Sequence, residues 1–300
     1  MAGGFMLARP GLPDFEYLKA ESPQEVFNLL KDKGPDLKLM MGGTDLFVQM
    51  RDRDSGPGTL LDIKGLPGMQ EIEFGKTVGL TLGAAVTLNQ ISAHKDIRKY
   101  YPVLCQAADT VGNYQLRNRA TLGGNICNAS PSADMAPALL IYDAELILES
   151  PGGERQLPVA EFWVGPGKIA LKEDEYLKAI HFPPPPEGAV GQYYKLGRSK
   201  MGDLAIVGVG MLGYPDPETP AGLRFKIGIN STAPTPYRVP AVEDYLAQHS
   251  LSDDVLSQAA EDAMDISAPI EDIRATALYQ KKMVRNLTKK GLKEIWGSLK

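Results

Sequence analysis

Two glycine pairs stand where a polypeptide backbone can grip an anion. The first lies in Met40-Met41-Gly42-Gly43-Thr44-Asp45-Leu46 and the second in Thr121-Leu122-Gly123-Gly124-Asn125. A Gly-Gly turn takes positive φ at no steric cost and leaves its N–H groups uncovered by side chains. Successive bare N–H groups form a concave nest that suits an anion. One such turn is an ordinary bend. Two, both flanked by Thr and by Asp or Asn, predict two arms on one diphosphate, and hence a dinucleotide cofactor.

Composition narrows the field. The chain has 300 residues, enough for two or three small domains with a buried core. Its net charge of −5 argues against nucleic acid as the main partner. No apolar run is long enough to span a bilayer, and Met1 to Phe15 lacks a secretory signal pattern. The only cysteines are Cys105 and Cys127, so the chain by itself cannot supply the four thiolates of an iron–sulfur cluster. A thiol-reduced, cytoplasmic setting is expected. His94, His181 and His249 are far apart and have no metal-hydrolase spacing.

The elements that must position the loops read as follows. Ser22-Pro23-Gln24-Glu25 is a capping-box start, and Gly34-Pro35 stops the helix. Leu37 to Met41 predicts a strand delivering the first loop, and Leu46 to Met50 a helix, so the diphosphate would lie near a helix N-terminus. Further strands are expected at Thr59 to Ile63 and, in two segments, across Gly68 to Ala85. Helices are expected at Leu88 to His94, Val103 to Val111 and Met135 to Tyr142. A hairpin through Pro151-Gly152-Gly153 should follow the strand Ala144 to Glu149. Pro183 to Pro186 is the clearest boundary, since four prolines continue neither helix nor interior strand. Beyond it, Gln192 to Leu196, Ala205 to Gly213 and Leu223 to Asn230 read as three strands. Helices near Val239 to Gln248, Asp253 to Met264 and Glu271 to Trp296 complete a separate α+β unit. Gly208-Val209-Gly210-Met211-Leu212-Gly213 spells GxGxxG, but Pro215 and Pro217 forbid a helix opening there; it reads as a Gly-rich strand packed against a close neighbour.

At these residues the chain resembles the FAD-binding medium subunits of the molybdenum hydroxylases, the carbon monoxide and xanthine dehydrogenase family. Met41 to Leu46 looks like the family's first flavin loop, and Gly83 to Leu88 like its GA-x-VT-L segment. Gln115 to Asn125, continuing through Asn128 to Asp134, looks like its second loop and is the most specific match. Tyr194-Lys195-Leu196, Gly202 to Ala205 and Asp272 to Tyr279 resemble later signatures. Ala120 departs from the usual Gly, which could tighten the loop without abolishing it. The resemblance implies an α+β, two-subdomain FAD-binding fold of the p-cresol methylhydroxylase and vanillyl-alcohol oxidase type at 1–182, with subdomains of about 1–57 and 58–182. A C-terminal α+β domain, a three-stranded antiparallel sheet with helices, would occupy 187–300.

The resemblance also implies roles. Met40 to Leu46, Thr121, Gly123, Gly124, Asn125, Asp134, Lys195 and Leu204 would surround FAD, bound non-covalently because neither loop contains a His. Thr44 and Thr121 either bond phosphate or cap the next turn. Asn125 either donates its amide or braces the loop. Asp45 reads as a cap for the following helix. Asp134 is either a first-turn helix residue or, by resemblance, a ribityl or ring partner. Lys195 is either a solvated edge residue or a cation near the flavin. Leu204 is core-like by type and against the isoalloxazine by resemblance. Arg117 either holds the loop through carbonyls or binds an outside anion. Cys105 and Cys127 read as buried hydrophobes. The lysines from Lys281 to Lys290 read as a solvated face or a partner contact. The implied function is electron transfer within a hetero-oligomer. A large molybdopterin subunit and a small [2Fe-2S] subunit would deliver electrons to this chain, which would pass them to NAD or another acceptor. The complex would be a dimer of heterotrimers. A self-sufficient flavin oxidase or dehydrogenase of the same fold is the alternative.

Overall fold

The computed structural model describes residues 11–53, 56–199, 202–271 and 273–300. The reading of the extreme N-terminus and the Asp272 end of the last motif therefore lie outside the described residues. The first layer is built from β1 (Glu16–Lys19), α1 (Pro23–Lys33), β2 (Leu37–Met40), α2 (Leu46–Arg53) and β3 (Thr59–Asp62). Ser22 caps α1 by accepting from the Glu25 N–H, and Gly34 ends it at φ 54°. The three strands form a parallel sheet in the order β1-β3-β2. β3 is its centre, so this layer extends past the expected division at residue 57.

The second layer contains β4 (Ile72–Gly75), β5 (Gly79–Gly83), α3 (Leu88–Ala93), α4 (Lys95–Tyr100), α5 (Pro102–Asp109) and α6 (Tyr114–Arg117). It continues through α7 (Leu122–Cys127), α8 (Ala136–Ile141), β6 (Glu145–Ser150), β7 (Gly153–Pro158), β8 (Trp163–Gly165), β9 (Lys168–Ile169) and β10 (Tyr176–Phe182). Five strands pair antiparallel in the order β4-β5-β10-β6-β7. Leu80, Leu82, Leu146, Leu148 and Ile180 bury one face of that sheet against α3, α5, α7 and α8. These apolar positions alternate along the strands, as a half-buried sheet requires.

The proline run follows β10, and the chain re-enters as β11 (Val190–Leu196), β12 (Val207–Pro215), β13 (Leu223–Asn230) and β14 (Tyr237–Arg238). The three expected strands are joined by β14, two residues long, in an antiparallel sheet ordered β11-β12-β13-β14. α9 (Pro240–Gln248), α10 (Asp253–Ile266) and α11 (Ala277–Leu299) cover it around a core of Val209, Met211, Ile227, Leu256 and Leu292. α11 starts at its Thr276 cap, later than Glu271. The GxGxxG segment is β12, as expected. A β-carbon at Gly210 would sit 3.0 Å from Pro137 Cβ, so its glycine admits α8 of the preceding domain. Among the described residues no helix is long and apolar enough to cross a membrane.

Arg155 on β7 clamps Glu175 at the start of β10 with two bonds, Nε to Oε1 at 2.7 Å and Nη2 to Oε2 at 2.8 Å. The Lys172 N–H adds a third at 2.9 Å. Arg155 foremost holds the Glu175 carboxyl below its ordinary value of 4.5. A depressed carboxylate stabilises the fold above its unfolded pKa and loses that contribution as pH falls through the folded one. Glu175→Gln should therefore cost about 1–2 kcal/mol in urea unfolding at pH 7 and less at pH 3. An equal cost at both pH values would rule out the ion pair as the cause.

Candidate cofactor site

The first loop leaves β2 at Met40 and enters α2 at Leu46. Gly43 takes φ 75°, while Gly42, Gly123 and Gly124 keep negative φ. The expected pair of positive-φ turns is thus a single one. Among the described residues no acceptor takes the N–H of Gly42, Gly43, Thr44, Asp45 or Leu46. These five donors crowd the N-terminus of α2, where the helix dipole favours negative charge. Asp45 does not cap α2: its carboxylate has no hydrogen-bond partner among the described residues. Although the residue is exposed, desolvation raises its carboxyl above the ordinary range.

The second loop is built differently. Residues 122–127 form a helix, with Thr121 as its cap. Thr121 Oγ1 accepts from the Gly124 N–H at 3.1 Å. The N–H groups of Leu122, Gly123 and Asn125 donate to the carbonyls of Val86, Ala84 and Thr121. Its backbone donors are already spent, so the expectation of bare N–H groups holds for the first loop alone. The glycines serve close packing. A β-carbon on Gly42 would collide with the Arg119 carbonyl oxygen. One on Gly123 would lie 2.7 Å from Ala84 Cβ and 3.0 Å from Met41 Cε. Gly43 faces the Phe47 ring at 2.8 Å in the same sense. The two loops therefore touch, backbone against backbone. Gln49 Nε2 on α2 reinforces this by donating to Asn128 Oδ1 at 2.7 Å. Arg117 braces the second loop from behind through the carbonyls of Asp109 and Val111.

Among the described residues of the loops, Asn125 carries the buried side-chain atom that is left without a partner, its Oδ1. A buried acceptor left unsatisfied costs about 1–3 kcal/mol. Five unspent donors on one loop and an orphaned amide oxygen on the other fit a phosphate-bearing group that also offers a hydrogen-bond donor.

Downstream of the second loop, Asp134 lies just before α8. Its carboxylate is engaged inside the protein: Tyr193 Oη donates to Oδ1 at 2.9 Å and Lys195 Nζ to Oδ2 at 2.7 Å. Lys195 also bonds the Thr110 carbonyl at 3.0 Å. Tyr193 and Lys195 alternate onto one face of β11, as strand geometry dictates. Lys195 is thus no solvated edge residue; its side chain is 10% exposed and that of Asp134 8%. Burial pushes the Asp134 carboxyl up, and Lys195 with the two hydrogen bonds opposes the shift. Leu204 is not core: it stands 62% exposed. Its neighbour Ala205 accepts from Arg274 Nη1 at 3.1 Å, and the same nitrogen bonds Ser132 Oγ at 2.9 Å. That arginine joins the last motif to the second loop, a link that no motif in the sequence announces. Cys105 is buried and Cys127 half-buried; burial pushes their thiols to about 11 and about 12.

Residues 13–185 match the family model described as the FAD binding domain in molybdopterin dehydrogenase, and residues 192–295 match the CO dehydrogenase flavoprotein C-terminal domain. The chain belongs to the flavoprotein family of the molybdopterin dehydrogenases. Among its relatives, the xanthine dehydrogenase FAD-binding subunit of Escherichia coli O157:H7 is 34% identical over 93% of this chain and 94% of that subunit. The carbon monoxide dehydrogenase medium chain of Hydrogenophaga pseudoflava is 32% identical over 95% and 98%. The solved carbon monoxide dehydrogenase from Hydrogenophaga pseudoflava, which lacks the Mo-pyranopterin moiety of its cofactor, superposes with a TM-score of 0.90 at 30% identity. That match covers 96% of this chain and 99% of that one. The α+β fold with an FAD-binding domain and a C-terminal flavoprotein domain is therefore established, and FAD is the cofactor that the loops of this flavoprotein fit.

Lys195→Met should leave the Asp134 carboxylate buried without its cation and destabilise the protein by about 3–5 kcal/mol at pH 7. Adding Asp134→Asn should restore most of that loss. Denaturant titration of the single and double variants measures both; additive losses would contradict the coupling. Asn125→Ala removes the orphaned oxygen, so the FAD-free protein should melt no lower than wild type while its FAD affinity falls at least tenfold.

Proposed function

We propose that this flavoprotein binds one FAD non-covalently and serves as the electron-transfer subunit of a molybdenum hydroxylase complex. Electrons would arrive from [2Fe-2S] clusters on a small partner subunit, fed by a molybdopterin centre on a large one, and leave to NAD or another acceptor. The assembly would be a dimer of heterotrimers in the cytoplasm. The observation that carries the reading is the row of free N–H donors from Gly42 to Leu46, pressed against the second loop. The relatives' names, a FAD-binding subunit and a medium chain, support a place in a multi-subunit complex, and the family description supports a molybdopterin partner.

Each residue then has a task. The N–H groups of Gly42 to Leu46 hold the diphosphate at the head of α2, with the Thr44 hydroxyl beside them. Thr121, Gly123 and Gly124 keep the second loop helical and close, so that Asn125 meets the cofactor with its amide. Met40 and Met41 set the first loop on the parallel sheet. Asp134 and Tyr193 fix the Lys195 ammonium, which favours negative charge on its neighbour. Leu204 offers an exposed apolar surface for a flat ring. Bound FAD supplies a carrier that takes electrons singly or in pairs. The proline run at 183–186 divides the domain bearing the loops, at 1–182, from the one bearing Lys195 and Leu204, at 187–300.

Gly43→Val forces a β-branched residue into φ 75° against Phe47. Losing two charge-assisted N–H contacts should weaken FAD binding by about two to four orders of magnitude. Gly124→Ala, whose β-carbon would meet the Thr121 hydroxyl at 2.8 Å, should change affinity less than tenfold. Fluorescence titration of FAD-free protein reads both, and equal losses would place the diphosphate elsewhere. For the function, co-expression with the molybdopterin and iron–sulfur subunits should give substrate-dependent reduction of an acceptor that the isolated chain lacks. Turnover of an alcohol or aldehyde by the chain alone would instead establish a self-sufficient flavin oxidase or dehydrogenase.

A further inference from the structure

A cavity of about 310 Å³ opens at the seam of the two domains and shares no residue with the cofactor loops. Most of its wall comes from four places. Phe74 and Lys76 belong to the β4–β5 hairpin, Lys99 and Tyr100 to α4, Pro185 to Ala189 to the interdomain strap, and Leu212 to β12. Such a volume is at the small end for ligand pockets. The lining is aromatic and cationic. Phe74 and Tyr100 stack with centroids 4.9 Å apart, and Lys99 Nζ stands 5.0 Å from the Tyr100 centroid. Neither Lys76 nor Lys99 has an ion-pair partner among the described residues, and the single carboxylate in the wall is Glu187.

Tyr142 also lines the cavity. It is 4% exposed, and its hydroxyl has no hydrogen-bond partner. The Val103 backbone, in the first turn of α5, lies beside that hydroxyl but outside hydrogen-bond geometry. Tyr101 caps α5 without a side-chain bond, and Pro102, which opens it, lines the cavity. Two unpaired ammonium groups and a helix N-terminus converge on one aromatic slot, with the Tyr142 hydroxyl buried behind its wall. From this convergence we infer that the cavity is a binding site for a small planar aromatic anion, separate from the cofactor site. The strand register sets the separation. Leu212 pairs with Gly191, and Gly208 pairs with Lys195, at the other end of the same two strands. Four residues of strand put the cavity about 14 Å from Lys195 along β11. An occupant would hold the strap to both domains and stiffen the strand that carries Lys195.

The test uses the FAD-loaded chain and isothermal titration calorimetry with 2-naphthoate. Cyclohexanecarboxylate and 2-naphthalenemethanol serve as the non-aromatic and uncharged controls, and inorganic phosphate as the bare anion. Naphthoate should bind saturably at one site per chain, at least tenfold more tightly than any of the three. The exposed pair Lys76→Ala/Lys99→Ala should weaken it at least tenfold without loss of bound FAD, and Glu187→Gln should tighten it. Gly43→Val should leave naphthoate binding intact, which separates this site from the cofactor reading. Equal binding of naphthoate and the uncharged alcohol would overturn the proposal. So would unchanged binding in the double lysine variant, or tighter binding of phosphate alone.

Discussion

At Gly42 the backbone of the first loop presses on the Arg119 carbonyl, and a β-carbon has no room there. The rest of the cofactor site depends on this approach. It brings the uncapped head of α2 alongside the second loop. Because the second loop satisfies its own N–H groups, it is rigid before any ligand arrives. Because the first does not, it is the loop with donors to spare. The site therefore combines a preorganised wall with an unsatisfied one, and that asymmetry suits a ligand that supplies acceptors to one side only.

A second constraint lies across the domain boundary. Asp134 belongs to the first domain and Lys195 to the second, and the pair is buried where the two meet. Neither charge is tolerable there alone. Asn230 of β13, donating to the Ala133 carbonyl at 2.8 Å, repeats the crossing next door. The glycines of β12 and β13 let Pro137 approach the sheet closely enough for these bonds to form. Domain docking and the placement of the Lys195 cation are one structural event, so weakening one disturbs the other.

The fold was largely legible because its punctuation is strong. Ser22, Gly34-Pro35, Gly152-Gly153 and the four prolines mark real ends of elements. α4 leaves no signal in the sequence because it is short, charged and capped only by backbone. β14 leaves none because two residues carry no period. In the second loop Gly-Gly signals a turn where the chain is helical. Its helix is instead announced by Thr121, three residues before the Gly124 N–H that it caps, a spacing that the glycines disguised. That the two glycine loops lie together was visible in the motifs. Which groups are spent and which are free was not, since that depends on partners far away in sequence, such as Ala84 and Val86 for the second loop and Tyr193 for Asp134.

The central claim is that diphosphate binding falls to the backbone of the first loop and not the second. Amide hydrogen exchange, resolved by residue in NMR spectra of FAD-free and FAD-loaded protein, measures this directly. The N–H groups from Gly42 to Leu46 should exchange quickly without FAD and become protected with it, while those from Leu122 to Asn125 should be protected in both states. Fast exchange at Leu122 to Asn125 in the FAD-free protein, or no change at Gly42 to Leu46 on loading, would contradict the account.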